Sequence, residues 1–457
     1  MSETTSRKTR RILVWIYGAA LFYFVLKQLY YAVYIGGFPD QKAHLSYIIE
    51  MCRNPSLLPD FPALPFWYTT GWDGLTEYMY QMGDAVNYLG HPPLYYLLVA
   101  MTGPIRIIPD GGVALDYLRV SLVSIAMTSC GAVIVFRMGY KYLKSRSPFV
   151  HALFAAAAVT LPELGYVGGG ASNDNLAFLA FAVFFSGVMR YSREDKTDLK
   201  TYLLIGIGFL LGSFSKLTMA MIMLIMLIVI LVMSVIRTKS LKLIGNRYFL
   251  VTLPCYLLFL AYEIVIFRRY GGFQPSLAAI APEFYETSVF YVAPENRVPM
   301  TFLQYLVRFA GSIGHSWSSV YNDPGSELSL RMHNGVFGIV YWVPVVTALA
   351  AAALQLIRRK ADRYTIPSVL GFLGTMAYHI ASGWSGFLKN GYTGGAQARY
   401  YLPLIIPFAF IMCETLPPLF RTEKAKKAGA VLAVVLILCQ FAGDALKMLV
   451  QYGFPQY

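Results

Sequence analysis

A chain of 457 residues that is 57 % hydrophobic and only 14 % charged has too little polar surface to cover itself in water, which excludes an ordinary soluble domain. The net charge of +14 would suit nucleic acid if it formed one patch, but the basic residues are dealt out in short clusters between apolar runs, so no nucleic-acid partner is expected. Those runs last about 17–25 residues, the helical span of a hydrocarbon core, and lack the alternation of a barrel strand. The expected fold is an all-α polytopic membrane protein.

The first run, Ile12 to Tyr34, follows Arg7, Lys8, Arg10 and Arg11 with no small-residue cleavage site behind it, and reads as a retained helix. Five further basic clusters follow: Arg137/Lys141/Lys144/Arg146, Arg190/Arg193/Lys196/Lys200, Arg237/Lys239/Lys242/Arg247, Arg358/Arg359/Lys360/Arg363 and Arg421/Lys424/Lys426/Lys427. Each should face the cytoplasm. The string G-H-P-P-L-Y-Y-L-L, Gly90 to Leu98, imitates the start of a span, yet a crossing there would put every later cluster outside. Counted instead as a juxtamembrane helix on the outer face, it leaves eleven spans: 12–34, 114–136, 148–165, 175–190, 200–215, 217–236, 248–266, 335–357, 364–381, 400–418 and 428–449. The N-terminus is then cytoplasmic and the C-terminus outside, in a plasma-membrane protein whose chain is one membrane domain, 1–457. Two long outer loops result, 36–113 with juxtamembrane helices and 267–334, far longer than connections in compact bundles and therefore expected to carry function. Most carboxylates fall on this outer side, among them Asp40, Asp110, Asp174 and Asp323. No G-x-x-x-x-G-K-[ST] occurs, which argues against an ATP-driven transporter, and the five cysteines imply no disulfide framework.

In F-P-D-Q-K-A-H-L-S-Y-I, Pro39 and Asp40 read as a helix start with His44 one turn later on the same face. A carboxylate just outside the first span suits a general base on an incoming hydroxyl, although on spacing alone a plain N-cap is the readier account. Asp40 and His44 are at most half of a metal site. In G-Y-V-G-G-G-A-S-N-D-N, three glycines allow close backbone approach, and Asp174 is either a cap or a functional acid at the bundle mouth. In G-A-Q-A-R-Y-Y-L-P-L, Gln397 and Arg399 stand where a span begins; arginine opposes the macrodipole there, so an anion or a headgroup is the reason for it. Lys216 is a similar cation between two spans. For Arg268 and Arg269, snorkelling anchors are the preferred reading. His315 and Trp317 have the chemistry to line a sugar site, but loop packing explains them more simply.

Together, P-D-Q-K-A-H-L-S-Y-I, H-P-P-L-Y-Y-L-L, S-N-D-N-L-A, F-S-K-L-T and Q-A-R-Y-Y-L-P-L resemble the GT-C superfamily of integral-membrane glycosyltransferases, in particular its bacterial branches, the aminoarabinose- and mannosyltransferase-like and DUF2142-like proteins. The resemblance runs from about residue 38 to 405. It implies a sugar donor on a polyprenyl phosphate, transfer on the outer face to a glycan, lipid or protein hydroxyl, an acid at the start of the first loop, matched by Asp40, and a second at the next outer loop, matched by Asp174. Lys216, Arg399 and His91 are then the candidates for the donor phosphate, and His44, Tyr95, Tyr96, Asn173, Gln397, His315 and Trp317 for lining the substrate. Gln41 stands where many relatives place a second acid, which weakens a scheme built on a divalent metal without ruling the metal out. A flippase or transporter of a lipid-linked sugar is the alternative function; it calls for acids and cations along a midplane path. A non-catalytic scaffold fits the two long loops poorly.

Overall fold

The computed structural model describes residues 3–35, 38, 40–145, 147–318 and 336–452; Pro39, Arg146 and Asp323 lie outside them. Ten helices carry the first part of the chain: α1 (Glu3–Tyr30), α2 (Gln41–Arg53), α3 (Leu94–Ala100), α4 (Tyr117–Tyr142), α5 (Pro148–Val159), α6 (Pro162–Gly168), α7 (Asp174–Glu194), α8 (Leu199–Ser213), α9 (Leu217–Thr238) and α10 (Arg247–Tyr270). Longer helices further on are Phe302–Ser318, Val343–Ile357, Thr365–Asn390, Ile405–Thr415 and Glu423–Tyr452. Among the described residues eight helices are long and apolar enough to cross a membrane, or nine if the bent pair α5 and α6 is one crossing. The protein is a multi-pass membrane protein. Length and composition alone do not confirm the expected eleven spans: α8 has 15 residues and Thr365–Asn390 is not among the helices that qualify, although both run from the basic end toward the end that holds Asp174 and Asp40.

The first loop departs from the all-α expectation. Strands β1 (Pro65–Asp73), β2 (Thr76–Val86), β3 (Ile105–Ile107) and β4 (Val113–Asp116) form an antiparallel sheet in the order β1-β2-β4-β3. The cause is a period-two pattern: Glu77 and Met79 face inward from β2 while Thr76, Tyr78 and Tyr80 stay partly open, and Asp73-Gly74 turns the hairpin with Gly74 at φ +60°. The helix after His91, α3, has seven residues and ends at Ala100, far short of a bilayer.

Chain direction sorts the helix ends into two sets. α1 runs toward Asp40, α4 leaves the sheet, α7 starts at Asp174, α9 starts after Lys216, and the turn Ala398–Leu404 precedes Ile405–Thr415. Among the described residues, the basic clusters stand at the other ends of these helices and at the end of Val343–Ile357. There Arg193 pairs with Glu414 and donates to Tyr364 at 3.0 Å, Arg363 pairs with Asp195, and Arg237 donates to the Ala361 carbonyl at 2.9 Å.

Between the two ends sits a buried ion pair that the sequence reading passed over. α5 and α6 meet at a 55° bend, where Pro162 has no N–H to continue the ladder. Lys27 fills the break: its Nζ donates to the carbonyls of Val159 (3.1 Å) and Leu161 (3.0 Å) and to Asp444 (2.7 Å), which also accepts from Tyr23 (2.7 Å). Lys27 and Asp444 have no exposed side-chain surface. Gly165 leaves room for the lysine stem; a Cβ there would overlap Lys27 Cε. Lys27→Met should therefore cost about 3–5 kcal/mol by leaving Asp444 buried and unpaired, and Lys27→Met with Asp444→Leu should recover most of the loss. Thermal unfolding of the detergent-solubilised variants measures both.

Candidate functional site

At the end away from the basic clusters, four segments converge. The first helix passes into a π turn at Tyr31–Ile35, and α2 then starts at Gln41. Asp40 sits at the helix start but does not cap it: its φ of 59° is left-handed, its side chain accepts no N–H of the helix, and the Gln41 side chain accepts from Phe38 N instead (3.0 Å). A non-glycine residue in that region is uncommon and costs about 1–2 kcal/mol. The conformation turns the carboxylate toward Arg399, with which it forms an ion pair, and Tyr88 Oη donates to it at 2.8 Å.

The three glycines at the end of α6, Gly168 to Gly170, do what their lack of side chains allows. A Cβ on Gly169 would meet the Gln28 carbonyl oxygen at 2.5 Å, and one on Gly170 would enter the Phe38 ring, so this backbone lies directly on the end of the first helix. It delivers Ser172, Asn173 and Asp174. Asp174 accepts from Ser172 Oγ at 3.1 Å and pairs with Lys216, while Asn173 and Ser215 exchange hydrogen bonds of 2.8 and 2.7 Å that lock the two turns together. The ring of Tyr400 lies between the two cations, 4.7 Å from Lys216 Nζ and 5.8 Å from Arg399 Cζ. Two carboxylates and two cations thus share one pocket of low dielectric with formal charges that cancel. Of the four side chains, Arg399 and Lys216 are 5 % exposed and Asp174 7 %, whereas Asp40 keeps 30 % of its side chain open.

The histidines stand beside this cluster. His44 shares a 2.9 Å hydrogen bond with Tyr96 and stacks on His91 at 6.1 Å, and His91 meets Gln274 at 3.3 Å. Burial, with His91 next to it, pushes His44 down to about 3, and burial with Lys216 and Arg399 nearby pushes His91 the same way, so both rings are neutral at pH 7. Burial alone would raise the Asp40 carboxyl. Arg399 outweighs it and holds the group well below the usual carboxylate range.

The structure therefore brings Asp40, Asp174, Lys216, Arg399, His44 and His91 together. Tyr95, Tyr96 and Asn173 belong to the layer behind them and not to an open lining: all are 1 % exposed or less, and Tyr95 Oη fixes the glycine segment by accepting from Ser172 N at 3.0 Å. Gln397 is 8 % exposed next to Arg399. Trp317 packs: it is 1 % exposed, donates to the Tyr341 carbonyl at 2.9 Å and lies against Trp342. His315 is partly buried near the end of Phe302–Ser318, the helix whose Ser316 Oγ accepts from Ala398 N at 2.8 Å. Tyr88, Tyr400 and Gln274 were missed. Only Tyr400 carried a signal, as the aromatic neighbour of a cation already singled out. No three metal-ligating side chains converge among the described residues, and both carboxylates are already neutralised by cations, so this donor set does not fit a divalent metal.

No family model and no curated protein matches the sequence. Solved structures do. The oligosaccharyltransferase of Archaeoglobus fulgidus in complex with Zn and sulfate superposes with a TM-score of 0.52 at 13 % identity, over 94 % of this chain and 53 % of that one. The same archaeal enzyme, AglB, in complex with an inhibitory peptide and a dolichol-phosphate gives 0.51 at 12 % identity, over 96 % and 56 %. The chain has a GT-C-like fold. It spans about half the length of these oligosaccharyltransferase chains. ArnT from Cupriavidus metallidurans in the apo state also matches, with a TM-score of 0.49 at 11 % identity over 99 % of this chain and 76 % of that chain, but the fold assignment rests on the two archaeal structures.

Because an unfolded histidine titrates near about 6.5 and His44 near 3, the unfolded chain binds a proton that the folded chain refuses throughout that interval. His44 thus makes stability fall as pH drops from about 6.5 toward 3, by up to about 1.4 kcal/mol per pH unit. Unfolding midpoints between about pH 7 and about pH 4.5 should fall less steeply in His44→Gln than in the parent chain.

Proposed function

We propose that the protein transfers a sugar from a polyprenyl-phosphate donor to an acceptor hydroxyl on the outer side of the plasma membrane. The observation that carries this reading is the ion-pair cluster: on a GT-C-like fold, at the end away from every basic cluster, two cations suited to a phosphate stand beside a partly open carboxylate. The positive-inside rule assigns that end to the outside.

In the reaction, the acceptor oxygen attacks the anomeric carbon, the carbon–oxygen bond to the phosphate breaks, and the phosphate leaves with the electron pair. Arg399 and Lys216 stabilise the charge that develops on it. Asp40 accepts the hydroxyl proton. In the free enzyme Arg399 makes Asp40 a weak base; a phosphate that engages the guanidinium relieves part of that hold and raises the basicity of the carboxylate when the donor is in place. Asp174 keeps Lys216 in position, and the neutral His91 sits within the same field.

Four measurements test this. Purified protein given a polyprenyl-phosphate sugar in detergent should transfer the sugar with no second compartment present; movement of intact donor across a vesicle membrane without transfer would instead favour a flippase. Asp40→Asn keeps the left-handed backbone, which asparagine tolerates, but takes the opposite charge from Arg399 and should lower the unfolding midpoint; per folded enzyme it should still lose about two to four decades of turnover. Turnover at the parental rate would remove Asp40 from the chemistry. Arg399→Lys keeps the charge but loses the planar fork, and should raise the donor KM by about one to two decades while the acceptor KM stays put. For sidedness, in a chain freed of its native cysteines, Asp110→Cys should react with impermeant reagent from outside the cell and Lys144→Cys should not.

A further inference from the structure

A cavity of about 380 Å³ opens at the end of the bundle that carries the basic clusters, between the start of α5, the end of Ile405–Thr415 and the start of Glu423–Tyr452. This volume is within the range of ligand pockets. Its walls are apolar, with Phe149, Leu153, Leu416 and Leu436, and the last helix lines it with the small residues Gly429, Ala430 and Ala433. Its polar residues are Lys426, Ser145 and Ser147. Lys426 is paired with Glu423 at 2.6 Å, but both side chains are well exposed, at 59 % and 82 %, and such a pair exchanges readily for another anion. Arg421, Lys424 and Lys427 surround that glutamate in sequence, so the neighbourhood stays cationic after the pairing. A second cavity, of about 220 Å³, lies between α7, α8, α9 and α10; its walls include Val188, Leu227 and Tyr256 but no lysine or arginine.

We propose that the first cavity is a binding site for an anionic glycerophospholipid, with one acyl chain between α5 and the last helix and the phosphate held by Lys426 and the hydroxyls of Ser145 and Ser147. Charge complementarity selects this occupant. An apolar slot alone would take any acyl chain, as the second cavity should; a slot with a cation and two hydroxyl donors discriminates by headgroup. The site lies a helix length from the Asp40 cluster, so it is separate from the proposed transfer chemistry and does not depend on it.

The test uses the full chain, stripped of lipid in detergent and titrated with phosphatidylglycerol or phosphatidylcholine of matched acyl chains, with bound lipid counted by native mass spectrometry. The first equivalent of phosphatidylglycerol should bind about fivefold or more tightly than phosphatidylcholine. Lys426→Gln, a change at an exposed position, should erase that preference, and Ala433→Phe should remove the first equivalent of either lipid. Equal affinity for both lipids in the parent chain, or an undiminished preference in Lys426→Gln, would mean annular lipid only and overturn the site. A folded Ala433→Phe that still retains the first equivalent would do the same.

Discussion

A charge taken out of water into the interior of a helical bundle needs an opposite charge within a few ångströms, because at low dielectric the cost of leaving it alone is several kcal/mol. Among the described residues Lys27 with Asp444 and Lys216 with Asp174 are buried pairs of this kind, and the buried Arg399 meets the partly open Asp40. Each joins segments far apart in the chain, so the pairs cannot form until the helices that bear them are correctly placed. The rest of the arrangement follows from that demand. The glycine segment lies close against the first helix, the Asn173 and Ser215 turns interlock, and Asp40 takes a left-handed backbone that turns its carboxylate to Arg399.

The two pairs near Asp40 differ from the third in what surrounds them. Lys27 has both backbone carbonyls and Asp444 as partners and no open surface, which is how a structural ion pair is satisfied. Arg399 and Lys216 instead flank one aromatic ring, and Asp40 is partly open beside them. The four formal charges there cancel, and under the proposed function the two cations are the groups that would meet the donor phosphate. Burial keeps both neighbouring histidines neutral, so the field there changes little across physiological pH.

Much of this was legible in the residues. The basic clusters fixed which helix ends lie together, and the string after His91 was rightly separated from the spans, since a helix that ends at Ala100 cannot cross. Asp40, Asp174, Lys216 and Arg399 were each visible as ionisable residues at span ends, where charge is costly enough to need a reason. Their pairing was not visible, because a contact between residues 40 and 399 has no local signature. The strands were overlooked although the alternation in T-E-Y-M-Y and the Asp-Gly turn were present; inside so apolar a chain, runs of aromatic residues read as membrane segments first. Tyr88 gave no sign at all, lying in an ordinary stretch of loop.

The bond between Lys27 and Asp444 has a consequence for biosynthesis. The lysine enters the bilayer with the first helix, and its carboxylate partner is made more than four hundred residues later, in the last one. During that interval its ammonium must stay near water or borrow the carbonyls at the α5–α6 break. The bend that leads to the glycine segment and Asp174 is therefore secured only when the final helix arrives, and a chain that stops short of that helix carries all the residues of the ion-pair cluster without the clamp that sets their spacing.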